Sequence, residues 1–159
     1  MKKLVLYSDQ IKHLSKKIDS ALIKLLDKSK PKIGYIPSSA DPKRKHYAAR
    51  QEYYSRIDME LEIYFELDED YYPDKLDTLL SCDAIHLSGG NTYYFLHWLR
   101  KRGLMDTLTQ YVSQGGVLIG VSAGSILMTP DISTSSISDD KQMEGESGYK
   151  GLNLVDFSF

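Results

Sequence analysis

The 159-residue chain has one cysteine, Cys82, so no internal disulfide can staple its fold. It has no excess of positive charge: 20 lysines and arginines against 22 acids leave a formal net charge of -2, with no electrostatic pull toward nucleic acid or anionic lipid. Apolar runs stay far below the about 18 residues that a membrane span requires. The N-terminal apolar stretch, residues 4–7, is too short and too soon polar to read as a signal peptide. Metal-ligand spacing is missing as well, because His13, His46, His86 and His97 are scattered and there is neither HExxH nor CxxC. Internal repeats and low-complexity tracts are also missing. Together these absences lead us to expect a cytoplasmic protein with no bound metal and no nucleic-acid or membrane partner.

What the chain has is alternation. Strand-like apolar runs at residues 4–7, 32–36, 62–65, 83–88 and 117–121 are separated by helical patterns. That order predicts an α/β fold, a doubly wound and mostly parallel sheet flanked by helices, in one domain over residues 1–159. Between the first two runs Ile11, Leu14, Ile18, Ala21, Leu22, Leu25 and Leu26 recur at helical steps and mark an amphipathic helix. Asp41-Pro42 reads as an N-cap followed by proline at the first helical position, opening a helix through Arg56. Pro73 starts a brief helix; residues 91–102 form another, closed by Gly103, and residues 104–113 a further one, stopped at Gly115-Gly116. From Pro130 to Lys150 the chain has no period that buries a face and reads as a loop, either a lid or an unordered piece. Residues 152–159 alternate again and read as a strand.

Gly120-Val121-Ser122-Ala123-Gly124 follows the fifth run and precedes the helix-compatible residues 125–128. A strand ending in G-x-S-x-G and leading into a helix is the sequence form of a nucleophile elbow. Serine attack on a carbonyl needs an exposed nucleophile, donors for the developing oxyanion and a base. Ser122 is the candidate nucleophile. The backbone N–H of Ala123, at the start of the following helix, and that of Gly90, in Leu87-Ser88-Gly89-Gly90-Asn91-Thr92, are the candidate oxyanion donors. Plainer readings stand beside these: a glycine-flanked serine capping a helix, and a simple turn in which Asn91 caps the next helix. Both turns fall at carboxyl ends of strands, where open α/β sheets bind ligands.

These two motifs, with Lys32-Ile33-Gly34-Tyr35-Ile36-Pro37, resemble peptidase family S51, the peptidase E and cyanophycinase group, from the first strand to the last residue. The resemblance implies a fold of the class I glutamine amidotransferase (flavodoxin-like) type, cofactor-free serine hydrolysis of short peptides, and oxyanion donors at Gly90 and Ala123. Val121 stands where peptidase E commonly has tryptophan and Ser125 where the family often has alanine, which leaves the subgroup open.

The base is the missing part. All four histidines precede Ser122, whereas the family takes its base from a histidine downstream, beyond a segment similar to residues 151–159. Either the chain stops short of its base, as a truncated or degenerate relative, or an upstream histidine substitutes. His86, on the strand leading to Gly89-Gly90, is the histidine this reading places near the site, and it also reads as a packing residue. His13, His46 and His97 fall on predicted helices as surface or packing residues. Asp139, Asp140, Glu144 and Glu146 lie where an orienting acid could come from but read as solvated groups and are not taken as catalytic, and Lys43-Arg44-Lys45 reads as a solvent-facing run. The expected function is that of a serine peptidase of the peptidase E kind acting on short peptides. The alternative is a catalytically impaired relative that acts by binding. Glutamine amidotransferase chemistry requires cysteine at the elbow, and Cys82 precedes a strand. Substrate side-chain preference and oligomeric state stay open.

Overall fold

All five apolar runs form strands in the computed structural model, which describes residues 1–68, 70–138, 140–142 and 148–158. They are β1 (Lys3–Tyr7), β2 (Lys32–Ile36), β3 (Glu60–Tyr64), β4 (Ala84–Leu87) and β5 (Val117–Val121). The sheet order is β1-β5-β4-β2-β3 and every pairing is parallel. Parallel neighbours need long crossovers, and the helices supply them. β4 and β5 are buried at every position, which is why they read as unbroken apolar runs rather than as alternating ones.

The helices are α1 (Lys16–Leu26), α2 (Lys45–Ser55), α3 (Leu76–Leu80), α4 (Thr92–Lys101), α5 (Leu104–Ser113) and α6 (Ala123–Ile126), with a 3-10 turn at Pro73–Lys75 leading into α3. Leu22, Tyr53 and Tyr54 of α1 and α2 pack on Val5, Tyr7, Ile33, Tyr35 and Ile119 from one face of the sheet. Leu79, Phe95, Leu99, Leu104 and Leu108 of α3, α4 and α5 pack on Ile36, Ile85, Leu87 and Leu118 from the other. The fold is therefore the doubly wound, helix-flanked α/β sheet that the sequence predicts. β2 and β4 are neighbours, yet the chain leaves β2 for α2 on one face and β4 for α4 on the other. Their exit loops diverge and open a crevice at the carboxyl edge of the sheet.

Several boundaries differ from expectation. α1 starts at Lys16, and Ile11 and Leu14 are 45% and 78% exposed. The Ser15 hydroxyl accepts the Ile11 N–H and donates to the Asp9 carbonyl, a local bonding pattern that competes with helix. Pro42 is not the first residue of α2. Arg44 takes a left-handed φ of 53° just before the helix, and the Asp41 carboxylate reaches across it to the N–H groups of Lys45, His46 and Tyr47. β3 starts at Glu60 and ends at Tyr64.

Residues 152–158 are not a strand. The N–H groups of residues 152–155 go to the chain just past α6, with Leu152 donating to Leu127 O and Leu154 to Met128 O, while both leucine side chains enter the core. The stretch expected to be all loop contains a 3-10 helix at Ser133–Ser138, anchored by buried Ile132, and an isolated antiparallel bridge between Asp131 and Lys150. Asp139, Glu144 and Glu146 lie outside the described residues. Among the described residues, no helix is long and apolar enough to cross a membrane.

The Asp41 cap carries a prediction. Asp41→Ala is expected to lower stability by about 1 kcal/mol in urea unfolding, with Asp41→Asn losing less, because the carboxylate satisfies otherwise orphaned N–H groups at the start of α2.

Candidate active site

β5 ends at Val121 and α6 begins at Ala123, so Ser122 alone turns the chain. Its backbone lies at φ 49° and ψ -112°, a strained conformation for any residue with a side chain. The ends of β1 and β4 hold it there. Ser122 N–H donates to Tyr7 O at 2.9 Å, the Ser125 hydroxyl donates to the same carbonyl at 2.9 Å, and Gly124 N–H donates to Ser88 O at 3.1 Å. Each motif glycine has its own reason. A Cβ on Gly120 would lie 2.6 Å from the Gly124 backbone, and one on Gly124 only 2.1 Å from the Leu87 carbonyl oxygen. The Ser122 side chain is exposed, and its hydroxyl has no hydrogen-bond partner among the described residues.

The second glycine turn is tied to the exit of β2. Ser38 N–H donates to the Ser88 hydroxyl at 2.7 Å, and the Ser38 hydroxyl donates to Gly89 O at 2.8 Å. Gly90 has φ 140°, and a Cβ there would strike the Ser38 hydroxyl oxygen at 2.0 Å, so the position admits only glycine. A Cβ on Gly89 would lie 3.4 Å from the Ser122 Cβ, which places this turn against the elbow. Asn91 does cap α4, its side chain accepting the Tyr94 N–H at 2.8 Å. Among the described residues the backbone N–H groups of Gly90 and Ala123 have no hydrogen-bond partner. Gly90 and Ser122 border a cavity of about 770 Å³ in the crevice, lined also by His86, His46, Arg50 and Tyr35.

A sequence model of peptidase family S51 matches residues 4–159. The chain belongs to this family. An uncharacterized peptidase of Listeria innocua is 34% identical over 98 residues, covering 58% of this chain and 47% of that protein. Peptidase E of Nostoc sp. is 31% identical over 134 residues, covering 83% of this chain and 52% of that protein. The chain thus spans about half the length of these curated relatives. The crystal structure of a peptidase E candidate from Listeria monocytogenes EGD-e superimposes with a TM-score of 0.81 at 23% identity, covering 99% of this chain and 77% of that one. A peptidase from an acI-B1 Actinobacterium does so with a TM-score of 0.70 at 18% identity, covering 98% and 66%. At these identities the likeness establishes the shared α/β fold.

Within this S51 chain the four histidines separate clearly. His86 is 1% exposed, its Nδ1 lies 2.8 Å from the Tyr54 hydroxyl, and its ring stacks on Tyr35 at 4.8 Å. Burial first, and then the nearby Arg50 charge, push its pKa down from 6.5 to about 3. His46 is exposed on α2 and lines the same cavity, which the sequence reading did not foresee. In a doubly wound sheet the first turn of the helix after β2 borders the crevice, and that positional signal was available. His13 sits in the exposed turn before α1, and His97 packs on Trp98 at 5.3 Å. Asp140 accepts the Thr92 N–H at 2.8 Å and so serves the start of α4. Arg44 is partly exposed, and its guanidinium also covers the Tyr64 ring at 3.4 Å and pairs with buried Glu66 at 3.2 Å. Lys43 and Lys45 are exposed and border the cavity.

Two outcomes are expected. Ser122→Gly should be more stable than Ser122→Ala by about 1 kcal/mol in urea unfolding, since strain at such a backbone position is worth about 1–3 kcal/mol against about 0.5–1 kcal/mol of added chain entropy. Because the folded pKa of His86 is depressed, the unfolded chain binds its proton first as pH falls. The stability contributed by His86 is full above about 6.5 and is lost downward toward about 3, at about 1.4 kcal/mol per pH unit. His86→Gln should remove about 2 kcal/mol of the difference in unfolding free energy between pH 7 and pH 5.

Proposed function

We propose that this S51 chain is a serine peptidase of the peptidase E kind that hydrolyses short peptides. The observation that supports the reading is the elbow itself: a strained, exposed Ser122 lining the cavity, with the Gly89-Gly90 turn packed against it and the N–H groups of Gly90 and Ala123 unengaged among the described residues. In the proposed reaction Ser122 Oγ attacks the scissile carbonyl carbon and the oxyanion forms between the two amides. The tetrahedral adduct then expels the amine to leave an acyl-serine, and water hydrolyses that ester to regenerate the hydroxyl. Oriented backbone donors already in place lower the barrier without reorganising during the reaction. No step passes through a metal or a cofactor.

A proton acceptor must take the Ser122 proton and deliver it to the leaving amine. Among the described residues no side chain hydrogen-bonds to Ser122 Oγ. That observation favours a second reading, a catalytically impaired family member that retains the pocket and acts by binding peptide. A fluorophosphonate reagent followed by peptide mapping, together with dipeptide hydrolysis assays, separates the two. The peptidase reading expects modification at Ser122 and a loss of at least about 10³-fold in rate for Ser122→Ala. Modification elsewhere, or hydrolysis that survives in Ser122→Ala, rules that reading out, and peptide binding without any turnover establishes the second.

A further inference from the structure

The peptide plane between Gly89 and Gly90 meets little steric resistance to rotation, because neither residue carries a side chain. The backbone on both sides of it is fixed. Before it, Ser88 N–H donates to Ile36 O at 3.1 Å and Ser88 O accepts Gly124 N–H at 3.1 Å. After it, Asn91 O accepts Phe95 N–H at 3.1 Å and the Asn91 side chain caps α4. The Gly89-Gly90 peptide itself is held by hydroxyl groups. Ser38 Oγ donates to Gly89 O at 2.8 Å and Ser88 Oγ donates to the same oxygen at 3.1 Å, while Ser88 Oγ accepts Ser38 N–H at 2.7 Å. Both serines are 6% exposed, so water competes little for these bonds.

A trans peptide is planar, with its C=O and N–H pointing in opposite directions. Two donors on Gly89 O therefore fix where Gly90 N–H points: away from the Ser38 hydroxyl, with no hydrogen-bond partner among the described residues. Rotating the plane by half a turn would exchange the two groups, so that Gly90 N–H met Ser38 Oγ and Gly89 O took the place of the donor. A carbonyl oxygen in that place would repel the negative charge that the N–H stabilises. A carbonyl that accepts two hydrogen bonds is also polarised, which strengthens the N–H of the same peptide as a donor. We propose that Ser38, assisted by Ser88, is a positioning residue that locks the Gly89-Gly90 peptide against flipping and so keeps Gly90 N–H available as an oxyanion donor. Ser38 lies past the end of β2 and borders the cavity, so the wall on that side is coupled to the elbow through its hydroxyl. The part this lock plays in a reaction rests on the Ser122 reading; the lock itself does not.

Amide hydrogen exchange followed by NMR reads the lock in the unaltered protein. Corrected for intrinsic rates, Gly90 N–H should exchange at least about tenfold faster than Gly124 N–H, which is bonded to Ser88 O. A Gly90 N–H as protected as that of Gly124 overturns the proposal. In Ser38→Ala the Gly89 carbonyl ¹³C and Gly90 amide ¹⁵N resonances should move upfield or double, and Ser38→Thr, which keeps the hydroxyl, should restore them. Unchanged resonances in Ser38→Ala, or an equal effect in the two variants, overturns the proposal. Labelling of Ser122 by a fluorophosphonate reads the consequence, since the phosphonyl oxygen occupies the oxyanion position. Ser38→Ala should slow the first-order labelling step about tenfold to a hundredfold, short of the full loss of a donor, and leave the reagent's binding constant unchanged. Labelling at the unaltered rate, or a loss confined to reagent binding, overturns the proposal. Fast Gly90 exchange without any labelling of Ser122 in the unaltered protein removes the peptidase reading alone, while normal labelling with a protected Gly90 N–H removes the lock alone.

Discussion

The close approach of α6 to the ends of β1, β4 and β5 is the constraint on which the rest of this molecule depends. One carbonyl, Tyr7 O, receives both the Ser122 N–H and the Ser125 hydroxyl, and Gly124 passes the Leu87 carbonyl so closely that a methyl group would not fit. Those contacts overdetermine the turn and allow Ser122 a backbone conformation it would not hold alone. They also explain why the motif contains two glycines and a second serine. Gly120 and Gly124 remove bulk where backbone meets backbone, and Ser125 satisfies a carbonyl at the strand end. Strain stored at such a position is characteristic of functional sites, where stability gives way to the placement of one group.

The winding of the sheet does the remaining placement. Because the chain leaves β2 and β4 toward opposite faces, a crevice opens beside the elbow, and the loop after β2 and the first turns of α2 form its far wall. Ser38 bridges the two strand exits and fixes the Gly89-Gly90 turn relative to Ser122. Under this crevice the face shared with α1 and α2 is unusually polar for a core. Asp19 accepts from the Tyr7 and Tyr53 hydroxyls, and Gln10, Tyr54 and His86 run on from Arg50. Buried polar groups of this kind are tolerable because each finds a partner, and a satisfied network is rigid. Its rigidity presents one imidazole edge and one guanidinium to the pocket in fixed orientation.

The elements legible in the sequence were those whose burial pattern is local. The runs in β2 and β5 and the helix α5 appear at their predicted bounds, since continuous burial of a central strand and the amphipathic period of a surface helix are written into adjacent residues. The misplaced boundaries share a different cause. Ile11 and Leu14 continue the period of α1, yet both are exposed and a serine hydroxyl captures the backbone there. Asp41 caps α2 from beyond a left-handed Arg44, which proximity to Pro42 did not indicate. Residues 152–158 alternate like a strand, but they join no strand of the sheet, and the N–H groups of residues 152–155 go to carbonyls past α6.

From the chain alone came the class of fold, the family resemblance and the elbow with its serine, because each rests on residues near one another in sequence or on a spacing that local sterics demand. Tertiary structure alone decided what surrounds Ser122. His46, Arg50 and Tyr54 stand on α2, whereas Gln10 and His86 come from distant parts of the chain. Only the packing of α2 on the sheet brings His46, Arg50 and His86 to one cavity, with Gln10 and Tyr54 buried and bonded to Arg50 and His86.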